Sequence, residues 1–113
     1  MEELKIYQKV YDMIVYGNNC LLQFPRSERY ALATDIKKSM YALLKLVIEA
    51  NKKYYKKITL QEMDIELEAL KTYIRIAADP KFKYLGLKQY ENWGKMLSEI
   101  GRMLGGWMKA VNK

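Results

Sequence analysis

The chain has no histidine and only one cysteine among its 113 residues. Without imidazole, no side chain of ordinary pKa is placed to move protons near neutral pH. Zinc and haem sites draw on His and Cys, so no such ligand set assembles within one chain. The single thiol, Cys20, forms no internal disulfide and points to no oxidising compartment. It lies in an apolar run and reads as a packed hydrophobe. Prolines number two, Pro25 and Pro80. No apolar stretch approaches the roughly 20 residues of a membrane-spanning helix. The opening Met1-Glu2-Glu3 is acidic where a signal peptide is basic. A cytoplasmic protein with no cofactor and no membrane partner is the expectation. There is no glycine-rich phosphate loop and no Ser or Cys set beside a base, so an enzyme is the poorest reading.

What is present is helical patterning in a chain the size of one domain. Half of the residues are hydrophobic and 29% are charged, enough for one core. No segment alternates with the period of two that a strand requires. A first helix is predicted over about Glu2–Leu22, with Leu4, Tyr7, Tyr11, Ile14 and Leu21 facing inward and Val10 and Val15 beside them. Phe24-Pro25 ends it, because a residue before proline avoids the helical region. The second helix is predicted to start near Ser27 as N-cap. Leu32, Ile36, Leu43, Val47 and Ala50 form its stripe, flanked by Met40 and Leu44.

Thr59 followed by Glu62 has the spacing of a capping box and predicts the start of a third helix. Met63, Leu67, Leu70, Ile74 and Ala77 follow before Asp79-Pro80. The fourth helix, about Leu87–Val111, carries Tyr90, Trp93, Leu97, Ile100, Leu104, Trp107 and Val111 at alternating spacings of three and four, a seam for packing on other helices. Four such helices with short connections predict an all-α, up-down antiparallel four-helix bundle occupying residues 1–113 as a single domain.

Net charge is +7, an excess that attracts polyanions. By segment, residues 1–24 carry −1, residues 25–58 carry +6, residues 59–79 carry −3 and residues 80–113 carry +5. The densest stretch is Lys52-Lys53-Tyr54-Tyr55-Lys56-Lys57. Its lysines suit phosphates and its tyrosines offer faces to bases. Equally, lysines favour a helix C-terminus, where they meet the negative end of the dipole, and the tyrosines could close the bundle. Arg26, Arg29, Lys37, Lys38 and Lys45 extend the charge and tilt the balance toward polyanion binding. Arg75 and Arg102 are further candidates. The carboxylates Glu62, Asp64, Glu66 and Glu68 read as a solvated helix face.

Beside the seam of the fourth helix run Gly94, Ser98, Gly101 and Gly105. Glycine inside a helix costs about 1 kcal/mol relative to alanine, so a close-approaching helix should offset it. That helix is either a neighbour in the bundle or a second copy. For self-association, Trp93, Gly94, Ser98, Gly101, Gly105 and Trp107 are the candidate interface.

The segment Glu99-Ile100-Gly101-Arg102-Met103-Leu104-Gly105-Gly106-Trp107-Met108-Lys109-Ala110-Val111-Asn112-Lys113 resembles the C-terminal helix of the accessory variability determinant proteins of diversity-generating retroelements. Lys88-Gln89-Tyr90-Glu91 and Tyr73-Ile74-Arg75-Ile76-Ala77 are similar to that family too. Phe24-Pro25-Arg26-Ser27-Glu28-Arg29-Tyr30-Ala31-Leu32 resembles a wider group that includes four-helix-bundle proteins encoded in intervening sequences of 23S rRNA genes. In that group helix two reads Asn-Ile-Ala-Glu-Gly where this chain has Leu46-Val47-Ile48-Glu49-Ala50, a departure that favours the retroelement family. The resemblance implies a cytoplasmic protein of bacterial or phage origin that forms a basic homopentameric barrel. It further implies binding to the element's reverse transcriptase and template RNA in support of mutagenic cDNA synthesis. An rRNA-associated bundle protein, or an oligomeric scaffold for an acidic protein, are the alternatives. A membrane-surface role ranks last, because the basic residues are spread over two helices.

Overall fold

The computed structural model describes residues 2–112, with side chains from residue 5 onward. Four α-helices follow in order: α1 (Glu2–Leu21), α2 (Leu32–Lys52), α3 (Lys57–Ala78) and α4 (Leu87–Val111), with a 3-10 turn at Arg26–Glu28. Each helix packs on its two neighbours in the cycle α1, α2, α3, α4. α2 and α4 are therefore diagonal, as are α1 and α3. Among the described residues there is no strand, and no helix is long and apolar enough to cross a membrane.

The α4 seam packs as its spacing predicts. Trp93, Leu97, Ile100, Leu104 and Trp107 are all buried, with Tyr90 and Val111 at its ends partly so. α3 buries Met63, Leu67, Leu70, Ile74 and Ala77. α2 buries Ile36, Leu43, Val47 and Ala50, and adds Ala33, Ser39 and Met40, while Leu32 is only partly covered.

α1 corrects the sequence reading. Its core residues are Ile6, Val10, Met13, Ile14, Cys20 and Leu21. Tyr7, Tyr11 and Val15 face outward, Tyr11 and Val15 being 50% and 59% exposed. Leu4 lies outside the described side chains. The helix is apolar on two faces, and a phenol can keep its hydroxyl in water while its ring covers surface. Periodicity alone does not choose between the two stripes.

Gly17 marks a close approach of α1 to α2 and α4. A Cβ there would lie 2.6 Å from the Met40 sulfur and 2.6 Å from Cζ2 of Trp93. The missing side chain thus lets the largest core residue reach across to α1. The Trp93 indole N–H is buried there without a hydrogen-bond partner among the described residues.

Two helix starts also differ from expectation. Ser27 does not cap α2: it sits in the 3-10 turn, and α2 begins after Ala31 with no side-chain cap. Between the buried anchors Phe24 and Ala33 no residue is buried. Nothing holds this stretch in helical register against the core, and the chain bends. Thr59 and Glu62 do not form a capping box. α3 starts earlier, at Lys57, and Thr59 is buried inside its first turn. The Thr59 hydroxyl instead accepts a 3.1 Å hydrogen bond from Lys53 Nζ.

Candidate nucleic-acid interface

α2 displays Lys38, Lys45 and Lys52 at every seventh position, all exposed. Seven residues are close to two helical turns, so the three ammonium groups form one outward stripe. None of them makes an ion pair among the described residues. Lys37 lies around the helix from this stripe, lining a groove with Asp12, Val15, Asn18 and Leu22 of α1 and its end. Arg26 and Arg29 are exposed in the α1–α2 connection. They precede α2, whereas the lysine-rich turn follows its 21 residues. The two clusters are thus separated by about 30 Å of helix, with Lys37, Lys38 and Lys45 between them.

The turn from α2 to α3 brings together Lys52, Lys53, Tyr54, Tyr55, Lys56 and Lys57, which do not have equal roles. Lys56 Nζ donates to the carbonyls of Ala50 and Lys53, satisfying acceptors left open at the helix end. Lys53 Nζ holds Thr59 and lies 4.0 Å from Glu49. Lys52 and Lys57 are exposed and make no such contacts among the described residues. The tyrosines do not close the bundle; both project into solvent.

Arg75 is exposed on α3, and Arg102 is exposed on α4, 3.4 Å from Glu99. Glu99 also pairs with Lys9 of α1 at 3.1 Å. The structure sets the candidate Arg102 in a second stripe, with Lys88, Lys95 and Lys109 of α4 that segment charge alone did not single out, again every seventh residue and all exposed. Its signal is present in the sequence as a cationic heptad alongside the glycines. Since α2 and α4 are diagonal, the two cationic stripes look in opposite directions.

The carboxylates of α3 are surface groups. Glu62, Asp64 and Glu68 are exposed, and Glu66 accepts a 2.7 Å hydrogen bond from Ser39 of α2. Among the described residues no cluster of three metal-binding side chains occurs. The thiol of Cys20 is buried, and that burial raises its pKa above the ordinary value, with a hydrogen bond from Tyr16 opposing. Burial likewise raises the Tyr16 phenol, against an opposing hydrogen bond with Asn92.

Of the candidate self-association residues, Trp93 and Trp107 lie within the core of their own subunit. Gly101 faces Leu67 and Lys71 of α3, at 3.4 and 3.6 Å from a notional Cβ. Gly94 and Gly105 have open space where a Cβ would be, and Ser98 is exposed. The small-residue stripe therefore runs along the α3–α4 edge, packed on α3 at Gly101 and open at Gly94, Ser98 and Gly105.

These features define a basic helical-bundle protein whose distinguishing chemistry is charge displayed on a four-helix scaffold. A family model described as bAvd-like matches residues 4–111. The chain belongs to this family of accessory variability determinant-like proteins, an accessory and non-catalytic kind of protein. No curated protein matches the chain.

Proposed function

We propose that the protein is the accessory subunit of a diversity-generating retroelement, binding template RNA and the element's reverse transcriptase so that mutagenic cDNA synthesis proceeds. The observation that carries this reading is the family match across nearly the whole chain, joined to an outward stripe of lysines on α2 that make no ion pair among the described residues. Each lysine that neutralises a phosphate releases a condensed counterion, which makes binding favourable and salt-dependent. The bond-making chemistry belongs to the polymerase.

A homopentameric barrel fits this role, because five copies multiply weak contacts by raising effective concentration. Two opposite edges of the subunit support a head-to-tail ring. One is the α3–α4 edge with Gly94, Ser98 and Gly105. The other is the outer face of α1, where Tyr7, Tyr11, Val15 and Leu22 are exposed, and where Asn18 donates a 3.2 Å hydrogen bond to Tyr41 of α2. A bulky apolar face entering a groove of small residues is a heterologous contact, and such contacts close into rings when the rotation allows.

The test is RNA binding by nuclease-treated protein, titrated against salt and a duplex DNA competitor, alongside co-purification of the reverse transcriptase. Steep salt dependence, preference for RNA and recovery of the polymerase are expected. Absence of RNA binding at physiological salt, with no polymerase recovered, overturns the reading. Lys38→Glu, Lys45→Glu and Lys52→Glu together should reduce the salt slope by up to about 3, one for each phosphate no longer neutralised.

A further inference from the structure

The α2–α3 turn is clamped, yet it exposes the two largest side chains it contains. Lys53 is extended at φ −79°, ψ 143°, and its backbone N–H donates to Glu49 at 2.9 Å. Lys56 ties the turn to Ala50 and Lys53, and the Lys53 side chain ties it to buried Thr59. A connection held in this way could have folded its aromatic rings over the end of the bundle. Instead Tyr54 and Tyr55 are 88% and 85% exposed. Their ring centroids are 4.8 Å apart with planes at 81°, an edge-to-face pair. In that arrangement the ring presenting its edge keeps both of its own faces open. Lys52 and Lys57 flank the pair from either side of the turn.

We propose that Tyr54 and Tyr55 are a stacking platform for unpaired bases of single-stranded RNA, with Lys52 and Lys57 on the adjoining phosphates. The inference rests on the RNA-binding reading above and specifies what this site takes. An aromatic face receives a base only where that base is not already stacked on its neighbours. A duplex offers such a face only at its ends, whereas every base of a single strand offers one, whatever its identity. Cations beside aromatic rings suit a ligand that alternates phosphate with flat base. A protein ligand would need acidic residues placed around an aromatic-binding pocket. The α2 lysine stripe would then hold backbone of any kind, and the turn would select unpaired segments.

The experiment compares wild-type protein with the Tyr54→Ala/Tyr55→Ala and Tyr54→Phe/Tyr55→Phe double variants. Each is titrated with an oligouridine strand and with a blunt RNA duplex of equal length, across a salt series. Both tyrosines are exposed, so the variants keep the wild-type fold, checked by circular dichroism. The alanine variant should bind the single strand about tenfold more weakly, the scale of one lost stacked base. Its salt slope and its affinity for the duplex should be unchanged, and the phenylalanine variant should bind like wild type. Photocrosslinking of a 5-iodouridine strand should map to Tyr54 or Tyr55. Unchanged affinity of the alanine variant for the single strand, or equal losses on strand and duplex, overturns the stacking platform alone. A variant that keeps its RNA affinity but releases the polymerase makes the tyrosines a protein contact and also overturns it. Failure of the wild-type protein to bind either RNA is a different result, and overturns the RNA reading itself.

Discussion

Replacing Gly17 with alanine should destabilise the protein even though alanine is the better helix former. In an unpacked helix the exchange favours folding by about 1 kcal/mol. Here the new methyl would stand 2.6 Å from the Met40 sulfur, 2.6 Å from Trp93 Cζ2 and 3.1 Å from Trp93 Cε2. Carbon atoms pack at about 3.5–4.0 Å, so roughly 1 Å of clearance is missing on two sides. The Met40 thioether can swing aside. The Trp93 ring, fully buried in the seam of α4, can retreat only by shifting α4 or α1. Overpacking of this kind costs about 1–3 kcal/mol.

Gly94→Ala supplies the reference, because nothing lies within 4 Å of a Cβ there. The intrinsic helix gain is common to both variants and cancels, leaving a gap of about 1–3 kcal/mol from overpacking alone. Urea unfolding followed by circular dichroism reads this as a lower midpoint for Gly17→Ala at unchanged slope. Repeating it at several protein concentrations separates folding from assembly. Equal midpoints for the two variants would refute the packing argument.

Gly105→Leu places a bulky side chain on the open part of the α3–α4 edge and should split the proposed oligomer while the subunit stays folded. An unchanged native mass for the folded variant removes that edge from the interface. Lys56→Met keeps the aliphatic stem but deletes the donor to Ala50 and Lys53, and should cost about 1 kcal/mol in urea unfolding, given the partial exposure. A wild-type midpoint would mean that the clamp is not needed.

Cys20 adds a pH dependence of definite sign. Unfolded, the thiol ionises near 9.0, while in the fold burial raises its pKa. Between those values the native state holds a proton that the unfolded chain has released. The contribution is therefore whole below pH 9 and lost as pH rises through the folded value. Cys20→Ala should flatten the alkaline fall in stability, and an identical fall in wild type and variant would refute the assignment.

Helix identity is legible wherever one apolar stripe dominates. α4 has a single seam of large residues, and all but its end residues are buried. α1 has two apolar stripes of comparable size, and spacing constrains only the angle between residues on a helix. Which stripe turns inward depends on what the other helices offer, and Gly17 lets Trp93 approach. The caps differ from expectation for a related reason. Ser27 and Thr59 are residue types that favour caps, but type does not say whether the backbone at that point is free to bend. The short α2–α3 connection instead places Thr59 within the helix, leaving Lys56 to satisfy the acceptors.

The candidate surface divides in the same way. Composition and segment charge place basic regions on helices two and four and their flanks, because charge is additive along a chain. Only the fold distinguishes lysines clamped onto carbonyls from those facing water, since that depends on where the chain turns. Only the fold sets the second cationic stripe on the opposite face, a consequence of α2 and α4 being diagonal. The sequence by itself determined that there are four amphipathic helices, a core and an excess of positive charge, because these follow from local periodicity and residue type. The tertiary structure decided which faces the helices present to one another and which remain exposed, because that choice depends on how all four helices pack together and not on any one of them.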